Sequence, residues 1–373
     1  MADRVSLIED WHAVIEAAER HRVVTLVFLA LRQQQGVPAG VLAELSKATK
    51  QKRLIGLAQL AELGRIGQLL SLHAIPFAEL KGFSLGQLAY GKTDVKESVD
   101  IDVLVPKRSV YDAVDALFSS GYSLCRTGSK ASPRQVHALV DLRKDVALCR
   151  GSNLKLELHW RLTSTSGLLP ESIEPSDWRD VTIGRNLTLQ TLAMPDLLAY
   201  LAVHGALHSW SRLKWLSDFN ALLNRMQREE WQAAIEREQH PGAGEAIRLA
   251  LQLCDLVFDS RRLQSMRGLS CDPQLVSHSI AEMQKPSVRA GTTTRKRMKQ
   301  VINNWKVHSR LFENNYDRLS LTRNHLYCER DLMMIPLPRS FRFMYAILRL
   351  PLWFAARLKL VSPKKIDHDT SNK

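Results

Sequence analysis

Residues 99–105 read Val-Asp-Ile-Asp-Val-Leu-Val, stopped by Pro106. Alternation over Val99–Val103, continued by an apolar run to Val105, predicts a β-strand, and proline ends it because it cannot donate to a ladder. Successive strand side chains point to opposite faces, so Asp100 and Asp102 share one face while Ile101, Val103 and Val105 share the other. The apolar face seeks a core. Two neighbouring carboxylates on one face repel each other unless solvated or bound to cations. Either they are solvent-facing acids or they hold metal ions.

A third acid lies further on. Leu154–Trp160 (LKLELHW) also alternates, placing Lys155, Glu157 and His159 on one face. Asp145–Cys149 precedes it across Arg150-Gly151-Ser152-Asn153, which predicts a hairpin. Glu157 on a strand beside the Asp100/Asp102 strand would complete a carboxylate set able to hold two Mg²⁺ ions about 4 Å apart, with Mn²⁺ as a substitute. Upstream, Pro76–Leu80 predicts a strand and Phe83–Tyr90 a short helix. The Lys81-Gly82-Phe83-Ser84 junction between them would offer backbone N–H groups and a lysine to phosphate.

Residues 1–75 show helical apolar spacing at Leu7–Ala18, Val23–Arg32 and Val41–His73. Ser109–Ser120 predicts an amphipathic helix, and Asn186–Leu192 a further strand. From Pro195 the periodicity is helical again, through Leu213–Met226, Trp231–Glu238 and Ala243–Phe258. Arg261–Arg297 reads as connecting structure. His204 and His208 share a helical face as core or interface histidines. The expected divisions are 1–75 helical, 76–193 catalytic, 194–330 helical and 331–373 a basic aromatic tail.

That tail, Ser340–Leu360, predicts either an interfacial helix touching a membrane surface or a helix packed on the protein's own core, kinked at Pro351. No run reaches about 18 uninterrupted apolar residues, and the N-terminus has no signal-peptide pattern, so a cytoplasmic location is expected. The five cysteines are widely spaced, which predicts reduced thiols. With 52 Lys+Arg against 38 Asp+Glu, the net charge is +14. That favours anionic partners, such as a phosphorylated acceptor or RNA. Arg289, Arg295, Lys296, Arg297 and Lys299 form a basic cluster, either a polyanion contact or a solvated face.

The stretch LKGFSLGQLAYGKTDVKESVDIDVLV (80–105) resembles nucleotidyltransferases with a DNA polymerase β-like core. More narrowly it is similar to a bacterial subfamily with a Lys-Gly pair, a tyrosine, a basic residue and then D-x-D on a hydrophobic strand. LELHW resembles its third-carboxylate strand, and HGALHSWSRLKWLSDFNALL (204–223) its helical region. The likeness covers Ile75–Leu223. It implies an α+β protein with a mixed sheet, flanked by N-terminal helices and a helical C-terminal half. It implies transfer of a nucleoside monophosphate from an NTP such as ATP, with pyrophosphate released. Asp100, Asp102 and Glu157 would bind metal. Lys81, Gly82, Ser84 and Lys96 would stand near the nucleotide. Lys96 replaces a usual arginine and Phe83 splits the Gly-Ser pair. Those departures keep open a catalytically weak nucleotide-, RNA- or partner-binding member; a transferase using a nucleotide-sugar is a further alternative that no residue separates from NTP use.

Overall fold

The computed structural model describes residues 5–151, 154–184, 187–235, 241–260, 270–285, 294–312, 315–322 and 326–357. The chain opens with α1 (Trp11–His21), α2 (Val24–Leu31) and the 34-residue α3 (Ala39–Leu72). β1 (Ala78–Lys81), α4 (Phe83–Tyr90), β2 (Ile101–Leu104), α5 (Val110–Ser119), β3 (Ser123–Leu124), α6 (Pro133–Leu142), β4 (Asp145–Arg150) and β5 (Leu154–His159) follow. β6 (Trp178–Ile183) and β7 (Leu187–Leu192) form a hairpin. Then come α7 (Met194–Leu207), α8 (Leu213–Leu223), α9 (Arg228–Ile235), α10 (Pro241–Phe258), α11 (Pro273–Gln284), α12 (Thr294–His308), α13 (Asn315–Ser320), α14 (Glu329–Met334) and α15 (Met344–Arg357).

The main sheet is mixed, in the order β1-β2-β5-β4-β3. β2 runs parallel to β5 and antiparallel to β1, and β4–β5 is the expected hairpin. The protein is α+β, as the alternation and periodicities predict. The sheet separates two cores, because the two sides of β2 differ in period-2 register. Ile101, Val103 and Val105 face a core built with Leu63, Ile66 and Leu70 of α3 and Val110, Val114 and Leu117 of α5. Leu104 faces the opposite core, shared with Leu80 of β1 and the α7–α10 helices. Asp102 shares that second face and lies at its edge. The far end of α3 carries Leu45 into a separate cluster with α1 and α2.

Several expectations are corrected. Arg261–Arg297 is not wholly connecting structure: Asp272 caps α11, its side chain accepting from the Gln274 N–H, with Pro273 in the first turn. Nor are all thiols reduced, since Cys125 and Cys149 form a disulfide. β3 pairs antiparallel with β4, and this carries Cys125 beside Cys149, the two Cα atoms 4.8 Å apart. The tail helix docks on the protein through buried Tyr345 and ion pairs from Arg342 to Asp141 and from Arg349 to Asp331. No helix among the described residues is long and apolar enough to cross a membrane. Of the basic cluster, Arg289 and the side chains of Arg295, Lys296 and Arg297 lie outside the described residues.

Candidate metal and nucleotide site

Strand register builds the site. Lys81 of β1 stands opposite Asp102 of β2, and Asp102 stands beside Glu157 of β5. Three strands thus present a row of lysine, aspartate and glutamate. One step along, Lys155 reaches Asp100 at 3.4 Å and bonds Glu157. Lys81 Nζ is 3.3 Å from Asp102 Oδ1. His159 Nε2–H donates to Asp102 Oδ1 at 3.2 Å and lies 3.7 Å from Glu157 Oε2. Lys144 donates to His159 Nδ1 at 3.4 Å and to Asp145 at 2.6 Å.

Asp102 is 0% exposed, yet its Oδ2 has no hydrogen-bond partner. A buried ionised oxygen without a partner is costly and implies an unmet cation or donor. Burial works to raise the Asp102 carboxyl, but Lys81 and His159 outweigh it and hold it below its ordinary value. Glu157 is also held low, first by the His159 hydrogen bond and then by Lys155. Asp100 is pushed up by burial and by the charges of Asp102 and Glu157. One ligand atom each from Asp102, Glu157 and His159 lies within 4.8 Å of the others. The two carboxylates fit a divalent cation, being hard ligands for Mg²⁺ or Mn²⁺, while His159, with Nε2–H on Asp102 and Nδ1 on Lys144, orients them from beside the site.

The remaining predicted residues are placed differently. Gly82 has φ +115°, and a Cβ there would collide with the Glu79 carboxylate. Glu79 accepts from Phe83 N at 2.9 Å, from Ser84 N at 2.7 Å and from Ser84 Oγ at 2.5 Å. The N–H groups expected to cradle phosphate are therefore engaged by the protein's own carboxylate, and Ser84 is fully buried. Lys96 pairs with Asp218 at 3.0 Å, while Tyr90 donates to the other Asp218 oxygen at 3.0 Å. Asp100, Asp102, Glu157 and Lys81 are brought together; Ser84 and Lys96 serve contacts of their own.

Sequence reasoning assigned no part to Glu79, and left His159 merely sharing a face with Glu157. Period 2 put His159 on the right face, but its partner Asp102 follows only from the parallel β2–β5 pairing. Two cavities flank the Lys81–Gly82 junction. Lys81 and Glu157 line one of about 440 Å³. Gly82 and Lys96 line another of about 550 Å³.

A family model of uncharacterised nucleotidyltransferases matches residues 8–259, two-thirds of the chain. The chain belongs to that nucleotidyltransferase family. No curated protein matches the sequence. The family unit is wider than the 75–223 likeness: it takes in the N-terminal helices, which buttress the sheet through α3, and α10, which packs on α7. Within the matched region, Gly205 has a structural reason. Trp210, fully buried, lays its ring where a Cβ at Gly205 would stand. His204 and His208 line the 440 Å³ cavity, with His208 stacked on Trp215.

Proposed function

We propose that the protein transfers a nucleoside monophosphate from an NTP to a hydroxyl acceptor and releases pyrophosphate. The observation that carries this reading is the buried, unpartnered Asp102 Oδ2 at the centre of the Lys81–Asp102–Glu157 row. In the reaction the acceptor oxygen bonds to the α-phosphorus. The bond from that phosphorus to the bridging oxygen breaks, and its electron pair leaves with pyrophosphate. The acceptor proton passes to a nearby base, for which the Glu157 carboxylate is positioned.

Asp102 and Glu157, with Asp100 and His159 beside them, would hold divalent ions, Mg²⁺ or Mn²⁺ in its place. Such ions neutralise phosphate charge and orient the α-phosphate for in-line attack. The protein's own contribution is preorganisation. β-register fixes the carboxylates before substrate arrives, and His159, itself held by Lys144, orients Asp102. Lys81 and Lys155 neutralise the acids in the absence of substrate and are the nearest cations for a triphosphate. We assign the donor to the larger cavity, which Gly82 and Lys96 line.

The alternative of a binding-only member draws on one observation: the α4 N–H groups are occupied by Glu79 rather than free for phosphate. Incubation with each α-³²P-labelled NTP, Mg²⁺ and cell extract separates the readings. Label transferred by wild type and lost in Asp102→Asn supports transfer. Mg²⁺-dependent NTP binding without transfer supports the binding-only member.

A further inference from the structure

The 440 Å³ cavity lies between two helices that do not close on each other. On α7, positions 200, 203, 204 and 207 face it; on α12, positions 301, 304, 305 and 308 do. Both sets follow the i, i+3, i+4, i+7 rule of one helical face. Such stripes ordinarily interdigitate, but here they enclose space, with Lys81 and Glu157 at the sheet side. Two neighbouring polar atoms on the α12 stripe are buried without any hydrogen-bond partner: Asn304 Oδ1, an acceptor, and Trp305 Nε1, a donor. Native proteins rarely leave such atoms unmet unless something else meets them. α12 also lies beyond residue 259, where the family match ends.

The cavity's charges are already engaged. Lys144 bonds Asp145 at 2.6 Å, and Lys81 pairs with Asp102 at 3.3 Å. Desolvation holds His204 well below the usual imidazole range, so it is neutral near pH 7. What remains is neutral hydrogen-bonding capacity: Asn304, Trp305 and the hydroxyls of Thr163, Ser164 and Thr165, beside the flat apolar face of an indole. A volume of about 440 Å³ falls in the range of small-molecule sites, roughly 300–1,000 Å³.

We propose that this cavity binds the acceptor, and that the acceptor is an uncharged, hydroxyl-rich small molecule of the sugar or cyclitol class. Its hydroxyl would lie against Glu157, and its far edge would be read by Asn304 and Trp305. The inference rests on the transferase reading above and gives it a substrate class. It runs against the phosphorylated or RNA acceptor that the net charge suggests, because the lysines lining this cavity, Lys81 and Lys144, are paired with Asp102 and Asp145.

The test supplies the purified full chain with α-³²P-labelled NTP and Mg²⁺, and with either the small-molecule filtrate or the macromolecular retentate of a cell extract. A portion of the filtrate is first treated with phosphatase, which is then removed. Wild type is compared with Asn304→Leu and with Trp305→Phe, which keeps an aromatic face and removes the Nε1–H donor. Mg²⁺-dependent NTP binding is followed by equilibrium dialysis. Label is expected on a filtrate molecule, undiminished by phosphatase. Half-saturation by filtrate should rise about three- to tenfold in each variant, the worth of one hydrogen bond, while NTP binding holds. Label on RNA or protein, loss of acceptor after phosphatase, or variants indistinguishable from wild type would each overturn the acceptor assignment alone, while NTP binding with no labelled product would overturn transfer itself in favour of the binding-only member. A wild type that binds no NTP would overturn the transferase reading beneath it.

Discussion

Two buried carboxylates stand on neighbouring strands, and they differ in what their oxygens touch. Glu79 on β1 is 2% exposed and spends both oxygens on the first turn of α4. Asp102 on β2 is 0% exposed and leaves Oδ2 without a partner, although Lys81 and His159 crowd Oδ1. Burial is the same in both; satisfaction is not. A satisfied buried acid is part of the scaffold and holds a helix N-terminus. An unsatisfied one marks where something from outside belongs. Glu79 thus explains why the glycine-containing junction is shaped as it is, and Asp102 is where the proposed ions would sit.

The largest effect that could break this contrast is on turnover. Asp102→Asn keeps the volume and removes the charge, so transfer should fall by at least about 10³-fold, several kcal/mol of transition-state stabilisation. The far-ultraviolet circular dichroism should stay native. Retained turnover would make Asp102 as structural as Glu79. The next effect is on stability. Mg²⁺ at about a hundred times its dissociation constant should stabilise wild type by about 2.7 kcal/mol, read as a rise in melting temperature. Asp102→Asn should lose that rise. A rise surviving in the variant would move the ion to another site.

On the scaffold side, Ser84→Ala removes a donor from a buried carboxylate, and unfolding free energy should drop by about 1–3 kcal/mol in urea titration. The resemblance places Ser84 near the nucleotide, so the same variant discriminates. A loss of NTP affinity with stability intact would return Ser84 to the phosphate site and erase the contrast.

Much of the site could be read from period 2 alone. The alternation of VDIDVLV and LKLELHW put Asp100, Asp102 and Glu157 on proper faces, because face is a local property of a strand. What could not be read is register. Which acid meets Lys81, and that His159 reaches Asp102 rather than only Glu157, depends on a parallel pairing across 57 residues. Glu79 was hidden for a similar reason: nothing in AELKGFS says the glutamate turns back to cap the helix that follows it. Other omissions carried a signal that went unread. Ser132-Pro133-Arg134-Gln135 is a capping box with proline in the first turn, and it starts α6. Asp272-Pro273 likewise announces α11. The Cys125–Cys149 bridge had no local signal, since it needs β3 and β4 to pair.

The smallest effect is also the most specific to Glu79. Burial pushes its carboxyl up to about 7, against the pull of the Ser84 and Phe83 donors and of Lys96. An unfolded glutamate loses its proton near pH 4.5. Between those values the native state holds a proton that the unfolded state has released, so this group makes stability fall as pH rises from 4.5 to 7. Other groups act in the same measurement. His21 is held down to about 4, chiefly by burial, and there the unfolded chain binds the extra proton, so it makes stability rise over roughly pH 4–6.5. Glu62, held down to about 2 first by its bond from Arg65, makes stability rise only below 4.5. The quantity to read is therefore a difference. Unfolding free energies of wild type and Glu79→Gln, measured without divalent ions from pH 4.5 to 7.5, share every contribution except that of Glu79. Their difference should change in the direction that favours the glutamine variant as pH rises, and should level off above about 7. A flat difference would mean that Glu79 is ionised throughout, held by its three donors, and the two carboxylates would then differ in their partners alone and not in charge.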